Sequence, residues 1–283
     1  PALAIDKIPQ DSLHIVTITG GEIGKEAFKD CASLESIQVG DGVTFMDKSA
    51  FANCNSLESV HIADMAAWCN SGCNDYASNP LYYAYKLYLN GELVTELVVP
   101  EGVTSLNRYV FSGCNSFVSI TIPDSVTSID SSAFYGCSNI TSATMPSLAI
   151  GYIPQNNLQT VVITRGEYIS DKAFYNCASL KSITISDSIT SIGKDAFSGC
   201  NAELFNSYGN MYYLGNEANP YMVLVSVIPN SESIIIHDDM KLVCPEAFDD
   251  CIIKDVTMPA KAIEYVPQAV SYTHLRAHET SAH

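Results

Sequence analysis

The sequence predicts a β-rich solenoid, in which short strands from successive repeats stack into a ladder around a shared core. Two observations lead to this fold class: a short motif that recurs along the chain, and a constant spacing between many of its copies. The motif Ala-Phe-x-x-Cys occurs six times, and a seventh copy has Val in place of Ala. The steps between successive motif phenylalanines are 23, 60, 23, 40, 23 and 51 residues. A fixed period of roughly 20–50 residues is typical of solenoids. The motif phenylalanines, which we expect in the core, are Phe28, Phe51, Phe111, Phe134, Phe174, Phe197 and Phe248.

The clearest repeat is residues 117–137, which read FVSITIPDSVTSIDSSAFYGC. Ile120 and Ile122 alternate with polar residues, and this pattern predicts a short strand with one buried face. A turn follows, after which Phe134 returns the chain to the core. A unit of this size cannot bury its apolar face alone, whereas stacked copies share one core. The same frame predicts about ten turns, with short turns or helical segments on the convex side. Their strand centres are Val16, Ile37, Val60, Leu97, Ile120, Ala143, Val161, Ile183, Ile234 and Val256.

Two of the longer steps contain what we interpret as insertions, at about residues 64–92 and 201–230. Asn90-Gly91 between two apolar segments is a strong signal for a two-residue hairpin turn, and we expect both insertions to leave the solenoid as loops or hairpins. Both are rich in tyrosine, which is enriched in protein interfaces. The tyrosines therefore form a candidate contact surface; the alternative is that they pack the hairpins onto the ladder with the hydroxyl outward. The candidates are Tyr76, Tyr82, Tyr83, Tyr85, Tyr212 and Tyr213.

Strand alternation also identifies the outward face of the ladder, which consists mainly of Ser and Thr. Solenoids commonly bind partners along such an extended face. The alternative is that Ser and Thr simply suit exposed strand positions. The candidate binding residues are Ser119, Thr121, Ser182 and Thr184, within a longer row that includes Ser36, Gln38, Ser59, His61, Ser142 and Thr144.

Seven of the ten cysteines occupy the repeat motif. We expect them to be buried thiols that stack between turns, because free cysteine behaves as a small hydrophobe. Neighbouring copies would lie about one strand apart, a separation that also permits an occasional disulfide. Cys69 and Cys73 lie in the first insertion, where a disulfide is an open alternative. A zinc site there would need two further ligands, and none is evident nearby in the sequence.

Composition and motifs exclude several classes of protein. With 47% hydrophobic and 16% charged residues, the chain has the composition of a folded domain, not of a disordered one. The net charge of −17 argues against a nucleic-acid partner. No stretch approaches the roughly 18 apolar residues of a membrane-spanning helix. The nucleotide-binding, hydrolase and zinc-protease motifs are absent, so we predict no enzyme activity, no cofactor and no metal site.

Residues 269–283, AVSYTHLRAHETSAH, share no part of the repeat frame. VSYTHLRAHET at 270–280 resembles the translation of a sequencing adapter. We therefore interpret 269–283 as a non-native tail that follows a fragment of a longer repeat protein. His274 and His278 in this tail have the i, i+4 spacing of a metal site, and we assign them no function.

The repeats resemble BspA-type leucine-rich repeats, as in LKSITISDSITSIGKDAFSGC at 180–200. The resemblance covers nearly all of residues 1–268, which we predict to form one leucine-rich repeat solenoid. It departs from the pattern at Ala143, which replaces the usual Ile or Leu. The resemblance implies a non-catalytic protein of the bacterial or protist cell surface that adheres to proteins of a host or neighbouring cell. The alternatives are glycan binding by the Tyr-rich insertions, and a repeat spacer within a larger cell-surface enzyme.

Overall fold

A computed structural model describes residues 12–249 and 251–259, in two compact units divided after Leu158. The predicted tail at 269–283 lies outside the described residues. The chain is a β-solenoid of about 11 turns, which confirms the predicted fold class. All ten predicted strand centres lie in strands, and within the first predicted insertion Leu87–Leu89 adds another strand to the parallel ladder.

The first unit consists of short strands joined by turns and a few short helices. Strands β1, β2, β3 and β5 pair in parallel, β5 pairs with β6 in antiparallel, and β4 pairs in parallel with β2. Strands β7, β9 and β11 form a second parallel set, and β8 pairs with β10. The strands are β1 Ile15–Ile23, β2 Ser36–Met46, β3 Ser59–Ile62, β4 Gly72–Cys73, β5 Leu87–Leu89, β6 Glu92–Leu93, β7 Glu96–Val98, β8 Ser105–Leu106, β9 Ser119–Thr121, β10 Ser128–Ile129 and β11 Ser142–Met145. The helices are α1 Met65–Asn70 and α2 Leu81–Ala84, with 3-10 turns at Tyr76–Ser78 and Ser147–Tyr152.

The second unit contains parallel ladders and one antiparallel insertion. Parallel pairs are β12 with β14, β13 with β15, β18 with β20, and β19 with β21. Strands β16, β17 and β18 pair in antiparallel. The strands are β12 Thr160–Ile163, β13 Tyr168–Ile169, β14 Ser182–Thr184, β15 Ser191–Ile192, β16 Asn206–Tyr208, β17 Met211–Leu214, β18 Val223–Val227, β19 Ser233–Ile235, β20 Leu242–Val243 and β21 Asp255–Thr257, and a 3-10 turn is formed by Ala202–Leu204.

The motif phenylalanines form a stacked column in the core of each unit. Six of the seven are buried, and Phe248 is half-buried. Rings from copies 23 residues apart stack nearly parallel, because an identical spacing brings them to the same point of successive turns. The stacked pairs are Phe28–Phe51 at 5.2 Å, Phe111–Phe134 at 5.4 Å and Phe174–Phe197 at 5.7 Å between ring centroids.

Three motif cysteines, Cys54, Cys137 and Cys200, bond to the turn before them. The Cys54 thiol donates to the carbonyl of Phe28 at 3.0 Å, and Cys137 donates to Phe111 at 3.0 Å. Burial raises the pKa of the Cys54 thiol to about 12. The ten cysteines form no disulfide within the described residues. At Cys54 and Cys137 the motif cysteine is therefore a buried, hydrogen-bonded residue, held as a neutral thiol.

In six copies of the motif, the position two residues after the phenylalanine adopts a left-handed backbone. Gly, Asn and Asp tolerate this conformation better than other residues do, which explains why they occupy the third position after Ala in the motif. At Gly113 a Cβ atom would lie 2.6 Å from the Cα of Tyr82, so only glycine is accommodated there. The positive-φ residues at this position are Asp30, Asn53, Gly113, Gly136, Asn176 and Gly199.

The first predicted insertion contains a degenerate repeat that the motif search did not detect. Its residues Ala77 and Ser78 occupy the positions of Ala and Phe, and Leu81 occupies that of Cys. The Phe51 amide donates to the Ala77 carbonyl at 3.0 Å, just as Phe28 donates to Ala50. Most of the segment therefore belongs to the ladder, and only its hairpin and the α1 region depart from the frame.

Trp68 and Asn79 bridge the point where the degenerate repeat lacks its phenylalanine. Ser78 is buried in the Phe position, and its amide bonds locally to Asp75. The carbonyl of Val110 instead accepts from the Trp68 indole at 3.0 Å and from the Asn79 side chain at 3.3 Å. Side-chain donors thus replace one backbone bond of the ladder.

The predicted turn at Asn90-Gly91 connects β5 to β6. Both residues have positive φ, 52° and 86°, as a type I′ hairpin turn requires. In the second predicted insertion, β16 and β17 form an antiparallel hairpin and β18 returns beside β20. The Val227 amide donates to the Ala247 carbonyl at 2.9 Å, so β18 rejoins the ladder pattern.

Candidate interaction surface

The outward face of β9 and β11 carries four hydroxyl side chains in register. Ser119 lies beside Ser142, and Thr121 lies beside Thr144. All four are partly exposed, whereas Ile120 between them is buried. The parallel register repeats every 23 residues, so side chains of the same type lie in rows across the strands.

The same rows continue on β2 and β3, where the Ser59 hydroxyl donates to the Ser36 hydroxyl at 2.9 Å. Gln38 lies beside His61 in the adjacent row. These two hydroxyls are thus bonded to each other across adjacent strands, which fixes their directions.

In the second unit, the candidate residues Ser182 and Thr184 lie on β14. Ser182 is exposed beside Thr160, and Thr184 is half-buried beside Val162. Ile183 between them is buried. The outward orientation of both candidates therefore follows from strand alternation.

An aromatic pair interrupts the Ser/Thr rows of the first unit. His61 on β3 stacks on Tyr88 of β5, with ring centroids 4.6 Å apart and planes at 18°. The pair is partly exposed. Tyr88 belongs to the degenerate repeat, so this feature depends on a strand that the sequence motif did not reveal.

Beside this pair, the parallel ladder of the first unit changes into the β5–β6 hairpin and opens a groove of about 370 Å³. Its apolar lining includes Met65, Leu89 and Val98, and its acidic lining comprises Glu92 and Glu96. Sequence analysis missed this site because its residues come from α1, the hairpin and β7. The only sequence signal was the Asn-Gly turn followed by the charged segment ELVTEL.

The candidate tyrosines of the first insertion lie at or near the surface. Tyr76 and Tyr85 are 48% and 51% exposed, whereas Tyr82 and Tyr83 are half-buried. The Tyr82 ring contacts those of Tyr76 at 4.8 Å and Tyr83 at 5.3 Å. Burial raises the pKa of Tyr83. The structure therefore brings three of these tyrosines together in one cluster.

In the second insertion, Tyr213 is not on the surface at all. It is fully buried, its hydroxyl accepts from the His237 amide at 3.2 Å, and the same hydroxyl donates to Met211 Sδ at 3.4 Å. Tyr213 is therefore a core residue and not a contact residue, because β17 turns it inward against β18. Its neighbour Tyr212 points the other way and is half-buried.

A second aromatic cluster surrounds Tyr213 and was not predicted. Tyr221 stacks on His237 with ring centroids 4.1 Å apart, and Tyr208 meets the same imidazole edge-on at 4.7 Å. Tyr208 is 39% exposed. The cluster assembles residues from β16, the segment before β18 and the turn after β19, and their sequence spacing does not reveal it.

One carboxylate in the second unit is poorly solvated. The Oε2 atom of Glu246 is buried without a hydrogen-bond partner. Loss of hydration raises the pKa of this carboxyl group, although a hydrogen bond from the backbone of Asp195 partly offsets the effect.

Among the described residues, no group of three or more His, Cys, Asp or Glu side chains is placed to hold a metal ion. The same part of the chain has no helix of sufficient length and hydropathy to cross a membrane.

Comparison with known proteins identifies similar repeats. Residues 11–79, 84–201 and 155–276 match the BspA type leucine rich repeat region, in six copies. A leucine-rich repeat protein from Bacteroides ovatus is 19% identical over 88% of this chain and 61% of that protein, with a TM-score of 0.38. This chain thus spans less than two thirds of that protein. A leucine rich cell surface protein from Faecalibacterium prausnitzii is 21% identical over 87% of this chain and 88% of that protein, with a TM-score of 0.32. No curated protein matches the chain.

Proposed function

Because the chain belongs to the family of BspA-type leucine-rich repeat proteins, we propose that it is a non-catalytic extracellular module that adheres to proteins of a host or neighbouring cell. One observation carries this proposal: outward strand faces present paired hydroxyls in register, as at Ser119–Ser142, Thr121–Thr144 and Ser36–Ser59 in the first unit. Repeat solenoids use extended faces of this kind to bind other proteins.

The chemistry of the face favours protein over nucleic acid. Serine and threonine hydroxyls both donate and accept hydrogen bonds, so they can pair with backbone and side-chain groups of a partner. Their short side chains lose little rotamer freedom on binding. The chain's net charge of −17 opposes contact with phosphates.

An extracellular location needs thiols that withstand oxidation, and burial provides that protection. Reactivity of cysteine depends on the thiolate, and burial raises the pKa of Cys69 and Cys73 to about 12. Both thiols are therefore neutral and inaccessible near pH 7. Buried thiols of this kind persist without forming disulfides.

Substitutions on the face test the proposal. The purified chain is screened for binding to matrix proteins, bacterial surface proteins and glycans. The double variant Thr121→Arg/Thr144→Arg places two bulky cations on the face and should weaken protein binding at least tenfold. Ser131→Arg in an exposed turn is the matched control. No protein binding across the panel, or equal binding by the face variant, would contradict the proposal.

Glycan binding is a second candidate, favoured by the Tyr208–Tyr221–His237 cluster. Flat aromatic faces provide apolar contact with sugar rings, and Tyr hydroxyls provide hydrogen bonds at the edge. Tyr221→Ala should abolish glycan binding while leaving protein binding unchanged. Tyr85→Ala, at an exposed tyrosine outside the cluster, is the control. Glycan binding that survives Tyr221→Ala would rule out this role for the cluster.

A further inference from the structure

The groove beside the β5–β6 hairpin has two open strand edges. In the described residues, β6 pairs only with β5, and β7 pairs only with β9. An unpaired edge presents backbone N–H and C=O groups that another strand can bond. The groove is therefore lined by unused backbone groups as well as by side chains.

The register shows which groups these are. The Val94 amide donates to the Leu87 carbonyl at 2.9 Å, so these two residues form a hydrogen-bonded pair. Hydrogen-bonded and non-hydrogen-bonded pairs alternate along antiparallel strands. The next pair, Tyr88–Leu93, is therefore non-hydrogen-bonded, and the N–H and C=O of Leu93 point away from β5. On β7, the carbonyl of Thr95 and the amide of Val99 bond to the β9 segment. The alternate residues of β7, which line the groove, therefore direct their backbone groups away from β9.

The side chains of the groove combine exposed apolar residues with two carboxylates. Leu93 and Val98 are 42% and 59% exposed, although both are large apolar residues. Glu92 and Glu96 lie beside them, and within the described residues neither carboxylate has an ion pair or hydrogen bond. Exposed apolar side chains next to unpaired charges are typical of a surface that a partner covers.

We infer that this groove binds an extended, basic peptide segment of a protein partner, which carries apolar side chains together with Lys or Arg. The peptide adds a strand to the open edge, as in other cases of β-strand addition. Its apolar side chains lie on Met65, Leu89 and Val98, and its cations reach Glu92 and Glu96. This inference rests on the proposed protein-binding function and names one segment of the partner that is recognised.

The charge of the groove selects this occupant. An acidic peptide would meet two unpaired carboxylates and a strongly negative chain, whereas a basic one gains charge-assisted hydrogen bonds. Successive side chains of a strand point to opposite faces, so Glu96 and Val98 share one face of β7, and the paired residues Leu89 and Glu92 share one face of the hairpin. Each face of the groove therefore offers an apolar contact beside a carboxylate, which suits a peptide that carries both apolar and basic side chains.

The test uses the full chain and a labelled seven-residue probe in which Val alternates with Lys, with binding measured by fluorescence anisotropy. We expect the double variant Glu92→Gln/Glu96→Gln to raise the Kd at least tenfold at low salt. The matched control Glu22→Gln/Glu58→Gln removes two exposed carboxylates elsewhere in the unit and should leave the Kd unchanged. A probe that alternates Val with Glu should not bind. Equal Kd values for the two double variants would overturn the inference.

Two methylated probes test the backbone pairing without altering the protein. In one probe every Val amide is N-methylated, and in the other every Lys amide, so each lacks the donors of one edge. We expect at least one of them to lose tenfold or more in affinity. If both methylated probes bind as tightly as the unmethylated probe, strand addition is excluded.

Further outcomes separate this inference from the proposed function. Suppose that the Kd for a protein partner is raised by Thr121→Arg/Thr144→Arg but not by Glu92→Gln/Glu96→Gln. This result would overturn the inference of peptide binding in the groove and would support protein binding by the strand face. Self-association that the groove variant abolishes would assign the groove to a second copy of the chain, and would likewise overturn a peptide occupant.

Discussion

Removing one ring of the phenylalanine column should measure how strongly the stacked repeats stabilise the first unit. Phe134 is 1% exposed, and its ring stacks on Phe111 at 5.4 Å and 16°. Phe134→Ala removes a side chain whose burial contributes about 1.5–3 kcal/mol by transfer from water. The lost ring pair adds about 0.5–1.5 kcal/mol.

The space left behind should not close. The Ala133 carbonyl accepts from the Phe111 amide at 2.9 Å, and the Cys137 thiol donates to the Phe111 carbonyl at 3.0 Å. Both bonds fix the backbone on either side of the missing ring, so a cavity remains. We therefore expect a total loss of about 3–5 kcal/mol in the free energy of unfolding.

This loss can be measured by urea unfolding monitored through the fluorescence of Trp68, which lies in the same unit as Phe134. Trp68 is the single tryptophan and is 2% exposed in the first unit, so its emission reports exposure there. Tyr135→Ala is the control, because Tyr135 adjoins Phe134 but is 62% exposed; it should change the stability by less than about 0.5 kcal/mol. A loss below about 1 kcal/mol for Phe134→Ala would refute the reasoning that adjacent rings support each other.

Three further predictions concern the thiols, the hairpin and the poorly solvated carboxylate. Cys54 should resist a thiol reagent at pH 8 until urea unfolds the chain. Its folded pKa of about 12 exceeds that of an unfolded thiol. The contribution of the neutral thiol to stability is therefore present below about pH 8.5 and is lost as pH rises toward 12. Prompt labelling in the folded state would contradict this. Gly91→Ala should cost about 1–2 kcal/mol in urea unfolding, because Gly91 has a φ of 86°; an unchanged midpoint would exclude the type I′ turn. Glu246→Gln should raise the thermal midpoint at pH 7 but not at pH 4. The pKa of Glu246 is raised in the folded chain, so the carboxyl group supports folding at low pH and this support is lost as the group ionises. An equal shift of the midpoint at both pH values would assign the effect to packing.

Much of the ladder could be predicted from the sequence because most of its repeats carry similar residues at their buried positions. The 23-residue steps place each Phe and Cys on those of the next turn, and strand alternation separates Ser119 and Thr121 from the buried Ile120. These features depend on local periodicity, which a single sequence displays. The left-handed positions after Phe are likewise readable, since Gly, Asn and Asp recur there.

The degenerate turn was missed because its identity depends on hydrogen bonds and not on residue type. Ser78 replaces the motif Phe, and the turn is recognisable only once the Phe51 amide is seen to bond to Ala77. Trp68 then supplies a donor that the backbone lacks. No motif search weights a serine as a phenylalanine, so the sequence was interpreted as an insertion.

The sequence by itself determined the repeat, its period and the inward face of each strand, because these follow from the alternation and spacing of apolar residues. Only the tertiary structure decided which tyrosines are available and where the ladder opens. Tyr212 and Tyr213 are adjacent and chemically identical, yet β17 buries one and leaves the other at the surface. The groove likewise joins α1, the hairpin and β7, and such a site arises only when the irregular turns are packed against the regular ones.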